Sequence, residues 1–356
     1  YLYRYHREPI LILFQVNFLR QLRLCSDANN KSGQKARANM RSKSDAQLQE
    51  GFHTPSAQVH ISYDPANPPA HPGPDWTRFV CISDTHSCTF SVPSGDVLLH
   101  SGDLSRLGRE GEIRVTIDWL RSLDHGVKII IAGNHDLPLH QEWYEEGYYG
   151  FHDKKESSTA IRKLVDNDSE ANRDRGLIYL QDELYTFRTK EGGREWSVYG
   201  FPWQPYFGGW AFNYLSDEAP EIVAEIPEVD ILLTHGPPYN VLDTTFSEVH
   251  AGCPAMLEHL SKMQSPPLLH VFGHIHEARG ATRHPWLQGN EHEGLSNPKE
   301  TTPPASGARE TIMVNAANQP LGRQAIGPGG QRIPCGGPGF QPIIVDLLDS
   351  AMRPDM

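Results

Sequence analysis

Side chains that commonly bind metal ions recur at five points of the sequence, each directly after a short apolar run. They are Asp84 and His86, Asp103, Asn134, His235, and the pair His274 and His276. Within the D-x-H and H-x-H pairs, two residues that are two positions apart in an extended segment project to the same side. Carboxylate, amide and imidazole donors together suit Mn, Fe, Zn or Co better than calcium. The pattern therefore predicts a site for Mn, Fe, Zn or Co.

Three glycines, Gly102, Gly133 and Gly273, stand at the ends of the same apolar runs. A glycine lets the chain turn sharply out of a strand and lets the backbone approach an ion or a phosphate closely. Any one of the five motifs alone is typical of an ordinary turn at the end of a strand. Five of them in order, each closing an apolar run, favour one shared site.

The apolar runs predict the scaffold that must position these side chains. They span 78–83, 96–100, 127–132, 195–200, 229–234 and 268–273, and they are rich in Val, Ile and Leu. Such short continuous runs are typical of strands buried on both faces. Residues 109–123 and 251–263 have helical spacing or composition. We therefore expect an α/β sandwich of one domain, with the polar side chains meeting beyond the carboxyl ends of the strands.

Composition excludes several classes of protein. The 356 residues include 32 Lys and Arg against 44 Asp and Glu, a net charge of −12, which argues against a surface that follows a nucleic-acid polymer. The five cysteines form no CxxC pair, so neither a zinc ribbon nor a disulfide framework is indicated, and a reducing, cytoplasmic location is expected. The apolar stretch 10–19 is shorter than the ~20 residues of a membrane span, so no span is expected, and a short helix or a leader remains open.

Composition also predicts the domain boundaries. Residues 1–50 carry nine Lys and Arg against four Asp and Glu, and the segment that follows is rich in polar residues and proline. We therefore predict that residues 1–75 are largely disordered and that residues 76–350 form the domain. Two polar stretches, 284–310 and 320–340, are predicted to be surface insertions within it, because apolar runs resume after each at 311–316 and 342–347.

With these motifs in order, the sequence resembles the calcineurin-like metallophosphoesterases, whose signature D-x-H, G-D, G-N-H-[DE], [GT]-H and G-H-x-H is complete here. The match covers about residues 78–346. The stretches RFVCISDTHS at 78–87, GDVLLHSGDLS at 95–105 and FPWQPYFGGWAFNY at 201–214 are similar to the metallophosphoesterase-domain-containing branch, which is related to class III cyclic nucleotide phosphodiesterases. The resemblance implies a four-layer β-sandwich flanked by helices, with the metal site at the C-terminal rim of the strands.

The resemblance also implies roles for the individual residues at a site for two divalent ions. Asp84, His86 and His276 would hold the first ion, Asn134, His235 and His274 the second, and Asp103 would bridge both. His135 would protonate the leaving group as general acid, with Asp136 holding its imidazole. The alternative for His135 is a hydrogen bond to a neighbouring loop and no catalytic role.

The resemblance implies hydrolysis of a small-molecule phosphate ester. Two carboxylates against two divalent ions leave a charge of about +1 once a hydroxide is bound, which suits the monoanion of a phosphodiester. A phosphodiesterase is therefore expected, with cyclic nucleotides among the candidate substrates. A phosphomonoesterase or protein phosphatase, and a non-catalytic metal-binding scaffold, are the alternatives.

Other polar and aromatic residues near the motifs are interpreted mainly as surface or core residues. Arg106 lies one position early for the arginine of the related G-D-x-x-D-R-G run and is interpreted as an ordinary surface residue. His100 and His270, inside apolar runs, are expected to be hydrogen-bonded core residues. An aromatic run is expected to pack in the core, although a stacking surface for a nucleobase remains open; it comprises Trp203, Tyr206, Phe207, Trp210, Phe212 and Tyr214.

Overall fold

The computed structural model describes residues 50–286 and 309–351, which contain fifteen strands. In chain order the strands are β1 (Gly51–His53), β2 (Ala57–His60), β3 (Trp76–Ile82), β4 (Val97–His100), β5 (Val127–Ile130), β6 (Leu177–Tyr179), β7 (Glu183–Phe187), β8 (Trp196–Phe201), β9 (Gln204–Pro205), β10 (Asn213–Tyr214), β11 (Ile231–Thr234), β12 (Leu269–Phe272), β13 (Gly280–Trp286), β14 (Arg309–Asn315) and β15 (Ile343–Leu348). One sheet has the order β1-β2-β15-β3-β4-β5-β6 and a second has β13-β14-β12-β11-β8-β7, while β9 and β10 pair by themselves.

Six α-helices accompany the sheets within the described residues. They are α1 (Glu110–Ser122), α2 (Gln141–Gly147), α3 (Ser158–Leu164), α4 (Glu170–Arg173), α5 (Ala219–Val223) and α6 (Pro254–Lys262). Short 3-10 helices span Leu137–Leu139, Tyr148–Gly150, His276–Ala278 and Gly322–Ala325. The helical spacing of 109–123 and the candidate at 251–263 correspond to α1 and α6, so both predictions are confirmed.

The two sheets pack face to face because alternate residues of their strands are apolar on the inner side. Phe79 and Leu99 of the first sheet belong to the same buried cluster as Leu233 and Val271 of the second. Successive side chains of a strand point to opposite faces, so the neighbours of these residues point outwards. Helices cover these outward side chains, so both faces of the strands are buried. This explains the continuous apolar runs.

Helices cover the outer face of each sheet. Ile113 and Ile117 of α1 pack with Val80 of β3 on the first sheet. Met256 of α6 packs with Leu232 of β11 on the second. The order of layers is helix, sheet, sheet, helix, and the expected α/β four-layer sandwich is confirmed. All six apolar runs predicted as strands are strands.

The parallel strands of both sheets direct their carboxyl ends towards the metal-binding motifs. β3, β4 and β5 are neighbours and parallel in the first sheet. In the second sheet β8, β11, β12 and β14 are parallel. Segments that leave neighbouring parallel strands share one edge of the sheet, so each sheet contributes its motifs to one rim.

The prediction of disorder for residues 1–75 is wrong for residues 50–75. β1 pairs with β2, and β2 pairs in turn with β15, which buries Val59 completely. Local composition missed these strands because their stability comes from pairing with a strand almost 300 positions later. Residues 1–49 lie outside the described residues.

The two predicted insertions differ from each other in the structure. The first was predicted at 284–310, but β13 continues to Trp286 and β14 begins at Arg309, in an antiparallel pair. Residues 287–308 lie outside the described residues. The second, 320–340, is described, and it lies beside the motifs. In the described ranges, none of the helices has the length and apolar character needed to cross a membrane.

Candidate metal centre

The side chains predicted to bind metal converge on one cavity of about 690 Å³. Five of the seven line it directly: His86, Asp103, Asn134, His274 and His276. The other two, Asp84 and His235, are fully buried at its base. Residues up to 192 positions apart in the chain thus meet at the shared rim of the two sheets.

The backbone takes an uncommon conformation at four of these seven residues. Asp84, His86, Asp103 and His274 have φ values of 52°, 46°, 54° and 65°. This left-handed region is costly for residues with a Cβ, and such conformations concentrate at functional sites that the surrounding fold holds in place. The sandwich therefore holds these residues in a conformation that their local sequence does not favour.

Hydrogen bonds to main-chain carbonyls fix the orientation of three of the histidine rings. The Nδ1 atoms of His86, His235 and His276 lie 3.0, 2.8 and 2.8 Å from carbonyl oxygens, those of Ser105, Ser101 and Gln319 respectively. A carbonyl only accepts, so in each neutral ring the proton is on Nδ1. The lone pair of Nε2 then points into the cavity, as in metal-binding histidines.

Three electron-pair donors face each other at the first group of residues. Nε2 of His276 lies 3.1 Å from Oδ1 of Asp84 and 3.5 Å from Nε2 of His86. Together these three atoms form a set that could hold one ion. A cation between the donors would turn their mutual repulsion into attraction, so the arrangement fits a divalent metal.

A second group lies on the other side of Asp103. Nε2 of His235 lies 2.9 Å from Oδ1 of Asn134 and 3.5 Å from Oδ1 of Asp103. The other carboxylate oxygen of Asp103 lies 3.7 Å from Nε2 of His86, in the first group. Asp103 thus faces both groups, one oxygen to each. The ring of His274 lies beside that of His235, with 5.0 Å between centroids.

Burial and neighbouring charge set the protonation of the donors. Burial lowers the pKa of His86 to about 4 and that of His274 to about 3, so both rings are neutral at pH 7. Burial by itself disfavours the Asp84 carboxylate, but the neighbouring imidazoles of His276, His235 and His86 hold its pKa below the usual value. Burial opposes a positive charge on His276, but the adjacent Asp84 carboxylate raises its pKa, so this ring holds a second proton more readily than His86 or His274, and a metal ion would displace that proton.

Two glycines are required for the close approach of these groups. A Cβ at Gly133 would lie 2.3 Å from Oδ1 of Asp103, and a Cβ at Gly273 would lie 2.1 Å from Oδ2 of Asp84. Both distances are far below van der Waals contact. The glycines that end these two runs therefore leave room for the carboxylates of Asp103 and Asp84, a reason for glycine other than the predicted approach of the backbone to an ion or phosphate.

His135 lies at the edge of the centre and is held by a main-chain group. Its Nδ1 lies 2.6 Å from the carbonyl oxygen of Arg106, and its Nε2 lies 4.0 Å from Oδ2 of Asp103. The side chain is 27% exposed and packs against the ring of Trp210. Nε2 is thus directed towards the cavity and accessible to a ligand there.

The prediction that Asp136 holds the His135 imidazole is wrong. The Asp136 carboxylate instead accepts hydrogen bonds from the backbone N–H groups of Gly133, Leu104 and Ser105, and from the Ser105 hydroxyl. Adjacent side chains point in different directions here, and Asp136 points into the fold. It fastens the segment after β4 to the segment after β5, and so positions Asp103 relative to Asn134.

The structure brings further residues to the cavity. Arg106 is exposed, as expected for a surface residue, and it also lines the cavity, as do Leu321 and Arg332 of the predicted insertion 320–340. No sequence signal indicated Leu321 or Arg332, since their positions depend on the path of that segment. Gln319, just before it, supplies the carbonyl that orients His276.

The remaining histidines and aromatic residues lie partly in the core and partly at the cavity. His100 and His270 are fully buried, and Nε2 of each lies within 3.0 Å of a threonine hydroxyl, as expected. In the aromatic run, Phe212 and Tyr214 are buried, whereas Tyr206 and Phe207 are more than half exposed and line the cavity. The expectation of core packing therefore fails for those last two.

Comparisons with known proteins agree with this site. The sequence pattern of the calcineurin-like phosphoesterase family matches residues 77–278. Metallophosphoesterase domain-containing protein 1 of Homo sapiens and that of Mus musculus are each 41% identical to the chain over 242 residues, 64% of this chain and 68% of each relative. A probable rhamnogalacturonate lyase C of Emericella nidulans is 38% identical over 204 residues, which cover 57% of this chain and 17% of that protein.

The matched residues contain all five motifs, and the matched range begins at β3 and ends just past His276. Together with the identity to the mammalian proteins over most of their length, this establishes the family. The chain belongs to the calcineurin-like phosphoesterases and is a metallophosphoesterase, a hydrolase of phosphoric esters.

Proposed function

We propose that the chain is a phosphodiesterase that uses two divalent ions. The observation that carries the proposal is the position of Asp103, whose two oxygens face separate groups of donors. In this proposal Asp84, His86 and His276 bind one ion, Asn134, His235 and His274 bind the other, and Asp103 bridges them. When bound, the two ions supply a nucleophilic hydroxide and polarise the oxygens of the phosphate.

The charge of the centre favours a diester over a monoester. Two buried carboxylates, Asp84 and Asp103, partly neutralise two divalent ions and leave about +1 when a hydroxide is present. That surplus matches the single negative charge of a phosphodiester. A monoester dianion requires more positive charge, and in the described residues the nearest candidates, Arg106 and Arg332, are exposed at the mouth of the cavity.

His135 is the proposed general acid. The Arg106 carbonyl accepts from Nδ1–H, so a second proton on the cationic ring occupies Nε2, the nitrogen that faces the cavity. That proton can pass to the oxygen of the leaving alcohol as the P–O bond breaks. Family membership supports the same assignment.

Cyclic nucleotides are candidate substrates because the cavity offers a surface for a base. Tyr206 and Phe207 expose their rings at the cavity wall, and Phe207 contacts the ring of His274 edge-on. Stacking on an aromatic ring contributes ~1–3 kcal/mol per base. Replacing Phe207 by Ala is expected to raise the KM for cyclic AMP about tenfold, with little effect on bis-p-nitrophenyl phosphate, in the manganese-loaded protein.

The diester assignment is tested by comparing turnover of bis-p-nitrophenyl phosphate with that of p-nitrophenyl phosphate in the presence of manganese. We expect a higher kcat/KM for the diester, and loss of both activities in Asp103→Asn prepared in the same way, which excludes a contaminating phosphatase. A preference for the monoester would overturn the diester assignment. Hydrolysis of neither ester by metal-loaded protein would favour the non-catalytic scaffold.

A further inference from the structure

Two arginines stand at the mouth of the cavity, and the proposed metal ligation and proton transfer use neither guanidinium group. Arg106 follows the Asp103 motif, and Arg332 comes from the segment 320–340. Both line the cavity together with His86 and His135. Both also interact electrostatically with one thiol, that of Cys88, so the two guanidinium groups lie on the same side of the cavity.

Neither guanidinium group has a carboxylate partner in the part of the chain that the structure describes. Arg106 donates from Nε to the carbonyl oxygen of His86 at 3.3 Å, and its side chain also hydrogen-bonds the Cys88 side chain. The acidic side chain of Glu277 also lines the cavity, but its carboxylate accepts the N–H of Phe246 at 2.7 Å. Two cations on one wall, with the Cys88 side chain beside them and no carboxylate partner among the described residues, form a local site for an anion in a chain of net charge −12.

The wall that carries Arg106 and Arg332 lies on the side of the cavity where the leaving group is expected. The main chain of Arg106 holds Nδ1 of His135, so the guanidinium of Arg106 belongs to the residue that orients the proposed general acid. The oxygen that receives the proton must come within hydrogen-bond distance of Nε2 of His135. The group attached to that oxygen therefore lies next to the wall formed by Arg106 and Arg332.

We propose that Arg106 and Arg332 determine specificity by binding an anionic group, a carboxylate or a further phosphate, on the leaving-group side of the substrate. The inference rests on the proposed diester hydrolysis and adds a preference for phosphodiesters whose leaving alcohol carries a second negative charge over those, such as cyclic AMP, whose only charge is that of the phosphate. A planar guanidinium forms paired, charge-assisted hydrogen bonds with either anion.

The test compares two diesters of the same framework, one with charged and one with neutral aryl substituents: bis(4-carboxyphenyl) phosphate and its methyl ester, bis(4-methoxycarbonylphenyl) phosphate. Their intrinsic difference in reactivity is the same for every variant. The ratio of their kcat/KM values cancels effects on the metal centre that both substrates share. Arg332→Gln is expected to lower the ratio, carboxylate over methyl ester, about tenfold, the size expected for one charge-assisted hydrogen bond. Arg332→Lys is expected to restore part of it, because the charge is kept.

Arg323→Gln is the matched control, since Arg323 is exposed in the same segment but does not line the cavity. It is expected to leave the ratio unchanged. An unchanged ratio in Arg332→Gln, or an equal change in Arg323→Gln, would overturn the proposal. Thermal unfolding of the three variants verifies that they are folded.

A binding measurement separates failure of this inference from failure of the proposed function. 4-Carboxybenzylphosphonate and benzylphosphonate have a C–P bond and are not hydrolysed, so calorimetry with the metal-loaded protein needs no turnover. Arg332→Gln is expected to weaken the carboxylate compound about tenfold relative to the other. If the wild type hydrolyses neither diester, the proposed function fails, but the ratio of the affinities for the two phosphonates still tests the inference about the arginines. An equal effect of Arg332→Gln on both phosphonates would contradict that inference.

Discussion

Nε2 of His86 and Nε2 of His276 face each other at 3.5 Å, although neither nitrogen has a proton to donate in its neutral form. Their Nδ1 atoms lie against the carbonyl oxygens of Ser105 and Gln319, which fixes the ring protons on the outer side. Two lone pairs directed at one point are unfavourable unless a cation lies between them or one ring takes up a second proton. This relationship, rather than the presence of the histidines alone, connects the fold to metal chemistry.

Replacing His135 by Ala tests the general acid. Turnover of diesters with poor leaving groups is expected to fall by about 10²–10⁴, while a nitrophenyl diester, which needs little protonation, is affected far less. Metal content is expected to stay at the wild-type level. Because Nε2 of His135 also lies 4.0 Å from Asp103, a loss of metal in this variant would instead identify His135 as a ligand.

Replacing Asp136 by Asn separates the structural role of Asp136 from the catalytic role first predicted for it. An amide nitrogen in place of one carboxylate oxygen would face N–H donors such as those of Gly133 and Leu104. We expect the free energy of unfolding to fall by about 1–3 kcal/mol in chemical denaturation. The dependence of turnover on the leaving group in Asp136→Asn should match that of the wild type. If it instead matches that of His135→Ala, Asp136 does act as the partner of the His135 imidazole.

Replacing Gly273 by Ala tests the close approach of the chain to Asp84. The added Cβ would clash with the carboxylate of Asp84 and with the hydroxyl of Ser83. Metal affinity is expected to fall about 10–100-fold, as when a supporting group of a metal site is lost. Gly111→Ala is the control, because a Cβ at Gly111 in α1 meets no atom within 4 Å. Equal metal affinity in the two variants would contradict the steric argument.

The buried ion pair between Arg78 and Asp346 predicts how stability depends on pH. Nε and one terminal nitrogen of Arg78 donate to the two oxygens of Asp346 at 2.7 and 2.8 Å, linking β3 to β15. Burial opposes ionisation, but the guanidinium holds the pKa of Asp346 below its ordinary value. The pair therefore contributes fully above the unfolded pKa of about 3.9, and the contribution is lost as pH falls through the lower folded pKa.

Asp346→Asn is expected to lower the free energy of unfolding at pH 7 by about 3–5 kcal/mol, because Arg78 is left buried without its partner. The difference between wild type and variant should shrink as pH falls below about 4. Denaturant unfolding at several pH values measures this difference in the free energy of unfolding. A difference that grows on acidification would contradict the assigned direction of the pKa shift.

The strands, and the convergence of the candidate metal ligands on one rim, could be predicted from sequence because each follows from a local rule. β3, β4 and β5 are buried on both faces and are continuous apolar runs. Asp84 and Asp103 follow such runs directly, and the parallel order of the strands brings them to one edge.

The residues that could not be predicted depend on distant parts of the chain. β2 is a strand because it pairs with β15, although it has only four residues, of which Ala57 and Val59 are apolar. Arg332 reaches the cavity because of the path of a segment rich in Gly and Pro, which has no periodic pattern. The direction of the Asp136 side chain is set by the N–H groups of two other segments.

Metal quantitation of the purified protein shows whether the cavity holds two ions with Asp103 between them. We expect about two equivalents of divalent metal in the wild type, about one in Asn134→Ala, and a large loss of both in Asp103→Asn. Wild-type protein that binds no metal under saturating manganese, or an Asp103→Asn variant that retains the full two equivalents, would contradict the account.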